Sequence, residues 1–380
     1  MKKEIYNYAL NPGKETMSQF ENCYNQPFVV KAALMPDAHS GYVAPIGSVL
    51  ITKEYIVPSW VGYDIGCGMT AVKLTNKDIL KKINANSMKI YNQVKNNVPM
   101  GLGKINNSGK ISAESEKQFQ LLVKKFKQGA HNRNILNFIE SGKALQYLGS
   151  LGHGNHFIEI SYEKNNAWIV VHSGSRGVGH RIATEYMKKS AGKNKGFEET
   201  FPLHENSDFG KEYLNILDFG LEFALLNRME IIKKVVTSIE HVLGEKVKYT
   251  LWVNKNHNHA IKEHGLYIHR KGATPAKKNE RGVIPANMKD GSFLVKGLGN
   301  KKFLESSSHG AGREYSRKEA REKISLEDFK EEMKGITGTI SQSTLDEAPQ
   351  AYKNIFQVMK AQEKSVKVLK QLKPIINWKG

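Results

Sequence analysis

Cysteine is nearly absent: Cys23 and Cys67 are the only two in 380 residues. A disulfide framework is therefore excluded, and a reducing cytoplasm is the expected setting. No apolar run approaches the roughly 20 residues that a membrane-spanning helix needs. The opening MKKEIYNYALNPGKE is basic but has no apolar stretch of the kind a secretory signal carries. A soluble, cytoplasmic protein with no membrane partner is expected. Repeats, low-complexity tracts and Pro- or Ser-rich linkers are missing, so residues 1–380 read as one domain. No GxxxxGK[ST] loop is present, which excludes a P-loop NTPase. Gly101-Leu102-Gly103 follows no strong strand and is no dinucleotide fingerprint. The NHNH run at Asn256–His259 is too short to mark an HNH nuclease.

Acidic residues are also in deficit, with 37 Asp+Glu against 57 Lys+Arg and a formal charge of +20. The balance favours polyanionic partners, nucleic acid above all, through attraction to phosphates and release of their counterions. Pairs such as Lys124-Lys125, Lys188-Lys189 and Lys233-Lys234 read as solvated faces. The stretch Lys262–Lys318 carries 13 Lys and Arg against 5 Asp and Glu and is rich in Gly and Ser. Basic, Gly-rich loops suit close approach to phosphates.

Three kinds of segment alternate. Apolar, β-branched runs at Phe28–Leu34, Gly47–Thr52, Ala71–Leu74, Ala167–His172 and Ser292–Val295 predict short strands. Helices are expected over Asp78–Asn97, Ala113–Phe126, Asn132–Ser141, Asp208–Leu243, Ser325–Lys334 and Ala348–Leu372, with Gly244 and Pro374 as stops. Between them lie Gly-punctuated polar loops. The fold class expected is α+β, with mixed sheets, flanking helices and a site gathered from loops along most of the chain.

Those loops hold most of the unusual residues: MPDAHSG (Met35–Gly41), GYDIGCGM (Gly62–Met69), LGHGNHFIE (Leu151–Glu159), HSGSRGVGH (His172–His180), NHNHA (Asn256–Ala260) and SSSHGAGREYSR (Ser306–Arg317). In the second, Asp64 and Cys67 are three apart and glycines flank the thiol, which permits close approach to the sulfur. Alone, Cys67 reads equally well as a buried inert thiol. With His156, His172 and His257 in similar loops, a metal site is the better reading. A single thiolate argues against a structural zinc site and suits Mn²⁺ or another borderline-to-hard ion, with zinc as the alternative. Arg176 follows His172 and has the planar fork for phosphate. His309 sits between three serines and a Gly-Ala-Gly stretch that could form an anion-binding nest, with Arg313 nearby. General base, metal ligand and phosphorus nucleophile all stay open for it. His153, His180, His204, His241 and His264 read as surface or capping residues, and His259 as either cavity or surface.

Together, DIGCGM, GNHFIE, HSGSRG, HRKGAT (His269–Thr274), VKGLGN (Val295–Asn300) and SHGAGR resemble the RtcB family of GTP-dependent RNA ligases. They run in family order, and the closing Trp378-Lys379-Gly380 is similar to the family's end. The resemblance implies an RtcB-like fold and an enzyme joining RNA 3′-phosphate or 2′,3′-cyclic phosphate ends to 5′-hydroxyl ends. It implies GTP as co-substrate, two Mn²⁺ ions and a histidine–GMP intermediate. It makes Asp64, Cys67, His156, His172 and His257 metal ligands, with Cys67 bridging, and His309 the nucleophile that accepts GMP. Asn155 would lie near the GMP phosphate, Glu159 and Lys379 would contact guanine, and Gly310, Ala311 and Gly312 would form the loop beside the guanylated histidine. Arg176, Arg313 and Arg317 would bind RNA phosphate or nucleotide. The implied partners are broken RNA (tRNA or rRNA) and GTP, with a monomer expected and an activating protein as a further partner. Departures are Tyr42 or Val43 in place of a Lys, Asn287 for Ser, His259 for an aromatic, Pro275 for Arg, and a chain rather short for the family. They look like a divergent bacterial branch engaged in RNA repair. The competing expectations are a metal-dependent 2′,3′-cyclic phosphodiesterase and a non-catalytic RNA end-binding protein.

Overall fold

A computed structural model describes residues 3–106, 110–193 and 196–380. Two larger sheets organise it. The first runs in the order Glu4–Asn7, Val29–His39, Ile46–Lys53, Leu266–Lys271, Asn258–Glu263. The second runs Arg281–Pro285, Ser292–Gly297, Val366–Lys379, Phe157–Glu163, Asn166–Ser173, Gly68–Leu74, Tyr249–Asn256, with Thr337–Gly338 beside Val366–Lys379. A two-stranded ribbon, Ala273–Pro275 with Ser306–Ser308, delivers the chain to His309. The α+β class expected from the sequence is therefore what the chain adopts.

The helix Asp208–Leu243 spans the molecule. Its 36 residues extend about 54 Å at 1.5 Å per residue. Ser207 caps its start by accepting from the Gly210 N–H, and Gly244 ends it in the left-handed conformation at φ 68°. Tyr213, Ile216, Phe219 and Phe223 join a cluster with Phe119, Phe126 and Tyr186. Further along, Ile231, Ile232, Val235 and Ile239 pack with Val72, Ile158, Ile169 and Val171 of the second sheet. One helix thus ties both cores together, and its middle passes behind the sheet end where the site lies.

Most expected elements lie within a few residues of the observed ones, and Ala113–Phe126 and Asp208–Leu243 coincide with them. Asp78–Asn97 is broken at Asn86 into Ile79–Ala85 and Ser87–Asn97. The expected helix Ala348–Leu372 is a correction. Residues Pro349–Ala351 form a 3₁₀ turn, Ile355–Ala361 a short helix capped by Asn354, and Val366–Lys379 a strand. Local propensity in KVLKQLK is ambiguous. Pairing with Ser292–Gly297 on one side and Phe157–Glu163 on the other decides it. Pro374, read as a helix stop, sits in that strand at a register shift, where no ladder donor is needed. No helix among the described residues is long and apolar enough to cross a membrane.

Candidate metal centre and its histidine neighbour

Four neighbouring strands of the second sheet explain how residues almost 200 positions apart meet. They are antiparallel in series, with Phe157 opposite His172, Met69 opposite His172, and Gly68 opposite Asn256. Cys67 and His156 each precede the start of a strand, His172 is near the end of one, and His257 follows the end of another. Alternating strand direction puts all four at the same end of the sheet.

The donor atoms converge there. Cys67 Sγ lies 3.1 Å from His172 Nε2 and 3.5 Å from His156 Nε2. His172 Nε2 is 3.2 Å from His257 Nε2, and Asp64 Oδ2 is 2.8 Å from His156 Nε2. Two triads result, Cys67–His172–His257 and Asp64–Cys67–His156, sharing the thiol. Ligands held about 2.0–2.3 Å from one ion stand about 3.3–3.7 Å apart, close to these spacings. His156 Nδ1 is 3.0 Å from the Leu151 carbonyl and His172 Nδ1 is 3.0 Å from the Asn155 carbonyl. A proton on each Nδ1 leaves the Nε2 lone pair facing the cluster. Burial, then neighbouring histidine charge, pushes His172 and His257 well below the usual imidazole range, so both are neutral at pH 7. Burial raises the Cys67 thiol, and the Asp64 carboxylate raises it further. Against burial, His156 and Arg176 hold Asp64 well below the usual carboxylate range. Buried lone pairs facing one another, with their outer N–H groups already anchored, fit a divalent cation. A side chain at Gly174 would collide with the Asp64 carboxylate.

His309 borders this cluster, its ring 4.9 Å from that of His257. Its Nδ1 lies 2.7 Å from Asp37 Oδ2, which also accepts from the backbone N–H groups of His309 and Gly310 at 3.1 and 3.2 Å. Asp37 is fully buried, and its Oδ1 has no hydrogen-bond partner among the described residues. The anion nest expected at Gly310-Ala311-Gly312 is thus occupied in part by a carboxylate of the chain itself. At Gly312 the left-handed backbone, φ 74°, permits close contact with the Asp37 backbone. Asp37 lies in the MPDAHSG loop, but nothing in sequence spacing signalled its partnership with a residue 272 positions away.

The remaining expected residues fall into two groups. Arg176, itself at φ 58°, opens the helix Arg176–Ala191, and its Nη1 is 3.3 Å from His156 Nδ1. Its Nε is buried without a partner among the described residues, and a side chain at Gly152 would strike its guanidinium. Asn155 is exposed beside His156. Arg313, Arg317 and Lys379 instead converge on a buried acidic pair that sequence reasoning missed, Asp346 and Glu347. Arg317 Nη1 contacts Asp346 Oδ2 at 2.5 Å and Glu347 Oε1 at 2.6 Å. Arg313 Nη1 is 3.4 Å and Lys379 Nζ 2.9 Å from Glu347, and Arg321 joins Asp346 at 3.1 Å. Burial would raise Glu347, but Lys379 and Arg317 bring it down to about 2. Glu159 is also buried, bonded to Ser161 and Asn377, and burial pushes it up to about 7. His259 does not join the metal cluster. It is buried and accepts from Arg270 Nη1 at 3.1 Å. Asn287, a departure from the resemblance, closes a local turn by accepting from the Lys289 and Asp290 N–H groups.

A protein-family model described as tRNA-splicing ligase RtcB matches residues 19–380. An RNA-splicing ligase RtcB1 from Escherichia coli is 35% identical over 395 residues, covering 96% of this chain and 94% of that protein. A tRNA-splicing ligase RtcB from Nanoarchaeum equitans is 29% identical over 447 residues, covering 96% and 91%. One from Thermococcus kodakarensis is 29% identical over 422 residues, covering 90% and 86%. The expected shortness is therefore slight against the bacterial relative. With its motifs in order, its donors gathered at one sheet end and this match over nearly its whole length, the chain belongs to the RtcB family.

Proposed function

We propose that this protein is an RNA ligase that joins 3′-phosphate or 2′,3′-cyclic phosphate ends to 5′-hydroxyl ends, with GTP and Mn²⁺, through a guanylate carried on His309. RNA with broken ends, tRNA or rRNA, is the substrate. The observation carrying the histidine's role is the 2.7 Å contact of its Nδ1 with buried Asp37. With the proton on Nδ1, Nε2 keeps its lone pair and can attack the α-phosphorus of GTP. A P–N bond forms and pyrophosphate leaves. The RNA 3′-phosphate then attacks the guanylate phosphorus, releasing His309. Finally the 5′-hydroxyl attacks the activated RNA phosphorus, forming the phosphodiester and displacing GMP.

Asp64, Cys67, His156, His172 and His257 would hold the Mn²⁺ ions, which when bound neutralise phosphate charge and stabilise the leaving group. Arg176, whose buried Nε has no partner among the described residues, would bind an RNA phosphate. Glu159 is placed in this reading at the guanine N–H edge, with Lys379 beside it and Asn155 near the GMP phosphate. Arg313 and Arg317 would reach nucleotide or RNA phosphate only by exchanging Asp346 and Glu347 for it. The test is labelling with GTP radioactive at the α-phosphate, in Mn²⁺, followed by a denaturing gel. Label on the wild type and none on His309→Ala is expected. An unlabelled wild type that has bound metal and still opens cyclic phosphates would replace the ligase reading with a phosphodiesterase.

A further inference from the structure

Arg228 is the largest charged side chain among the fully buried ones, together with Arg270, and the chemistry above makes no use of it. It lies midway along Asp208–Leu243 and contacts no carboxylate among the described residues. Its guanidinium instead meets five neutral acceptors at good geometry. Nη1 donates to the Gly66 carbonyl at 2.8 Å and the Ser173 carbonyl at 2.9 Å, and Nη2 donates to Asn256 Oδ1 at 2.7 Å. Nε is shared between Asn254 Oδ1 at 2.8 Å and Thr70 Oγ1 at 3.1 Å. Gly66 precedes Cys67, Ser173 follows His172, and Asn256 precedes His257. Each member of one metal-capable triad is thus one residue from an Arg228 contact.

Asn227, its neighbour, extends the arrangement. Its Oδ1 accepts from the Gly149 N–H at 2.7 Å, and its Nδ2 donates to the Gly174 carbonyl at 2.9 Å and Ser173 Oγ at 3.2 Å. Ser173 Oγ donates to the Leu151 carbonyl, the same oxygen that holds His156 Nδ1. Asn256 and Asn254 in turn donate to the Leu221 and Leu225 carbonyls of the long helix.

We infer that Arg228 is a positioning residue for the metal-ligand cluster, its planar fork fixing the loops of Cys67, His172 and His257 relative to one another. A guanidinium imposes direction on five donors at once, which neither a lysine nor an apolar side chain can do. Its charge has two opposed effects, repelling a dication and attracting the Cys67 thiolate that would hold one. Arg228→Lys, which keeps the charge and loses the fork, therefore separates the two roles. Positioning predicts weaker metal binding in that variant, and charge alone predicts unchanged binding.

The inference rests on the metal-holding reading of the cluster, so the test begins with the wild type. Purified full-length protein is titrated with Co²⁺, followed by the thiolate-to-cobalt charge-transfer absorption and by calorimetry. No thiolate band in the wild type would overturn the metal reading itself. Given that band, Arg228→Lys and Arg228→Met should each bind Co²⁺ about 10–100-fold more weakly, with a shifted or weakened band. Unchanged or tighter binding in a folded variant overturns the positioning role. If neither variant folds, Asn256→Ala, which removes one acceptor, decides. It should weaken only the binding event at Cys67–His172–His257, and wild-type binding at both events overturns the inference.

Discussion

Two buried charged clusters lie in this molecule and are built on opposite logic. At the end of the second sheet, one thiol, one carboxylate and three imidazole nitrogens face one another. Around Asp346 and Glu347, three arginines and a lysine already neutralise two carboxylates. The first offers a set of donor atoms that could hold an ion. The second is satisfied by the chain itself, and a ligand must compete with it. Buried lone pairs facing one another suit a cation, whereas a closed ion-pair network leaves its own cations already engaged.

The sharpest break in that comparison comes from the shared thiol. Cys67→Ala should abolish metal binding measured by elemental analysis, since both triads use it, whereas His257→Ala should remove one ion and leave the Asp64–Cys67–His156 triad. Equal stoichiometries in the two variants would refute the shared-thiol arrangement. Next, Asp37→Asn should slow guanylate formation about 10²–10⁴-fold by losing the carboxylate that holds the His309 tautomer, with pyrophosphate release as the readout. A change under threefold would show that Asp37 is only a structural anchor.

A third comparison uses two buried glutamates. Glu347 is lowered to about 2, so its stabilising contribution is present above about 4.5 and is lost as pH falls toward 2. Glu347→Gln should therefore cost about 3 kcal/mol at neutral pH and little near pH 2. Glu159 is raised to about 7, so the folded state favours its protonated form, and stability declines as pH rises from about 4.5 through 7. Glu159→Gln should melt at or above the wild-type temperature at pH 8 and near it at pH 4. Denaturation curves across pH check both, and parallel profiles for the two variants would contradict the assignment. The smallest effect belongs to the surface. Lys318 pairs with Glu322 at 3.9 Å in the open, and Lys318→Ala should shift stability by under about 0.5 kcal/mol.

The candidate metal donors were legible in the sequence because glycine-flanked His, Cys and Asp in loops have few structural explanations. Residue pattern alone left base, ligand and nucleophile open for His309, the resemblance implied the nucleophile, and its contact with Asp37 came only from the structure. Arg313 and Arg317 looked like free phosphate or nucleotide ligands and Lys379 like a guanine contact, because Asp346 and Glu347 come from a segment with no distinctive motif. Arg228 was invisible inside a helix whose apolar face explained itself. The misread stretch at 348–372 fell to long-range pairing that overrode a locally helical pattern.

By itself the sequence determined residue types, charge, several of the helix and strand positions and the family, since all of these are carried by short-range pattern and composition. Only the tertiary structure decided which loops meet. Antiparallel registry brought four strand ends to one place, and the burial of Asp37, Glu347 and Arg228 gave each a partner that no local spacing encodes.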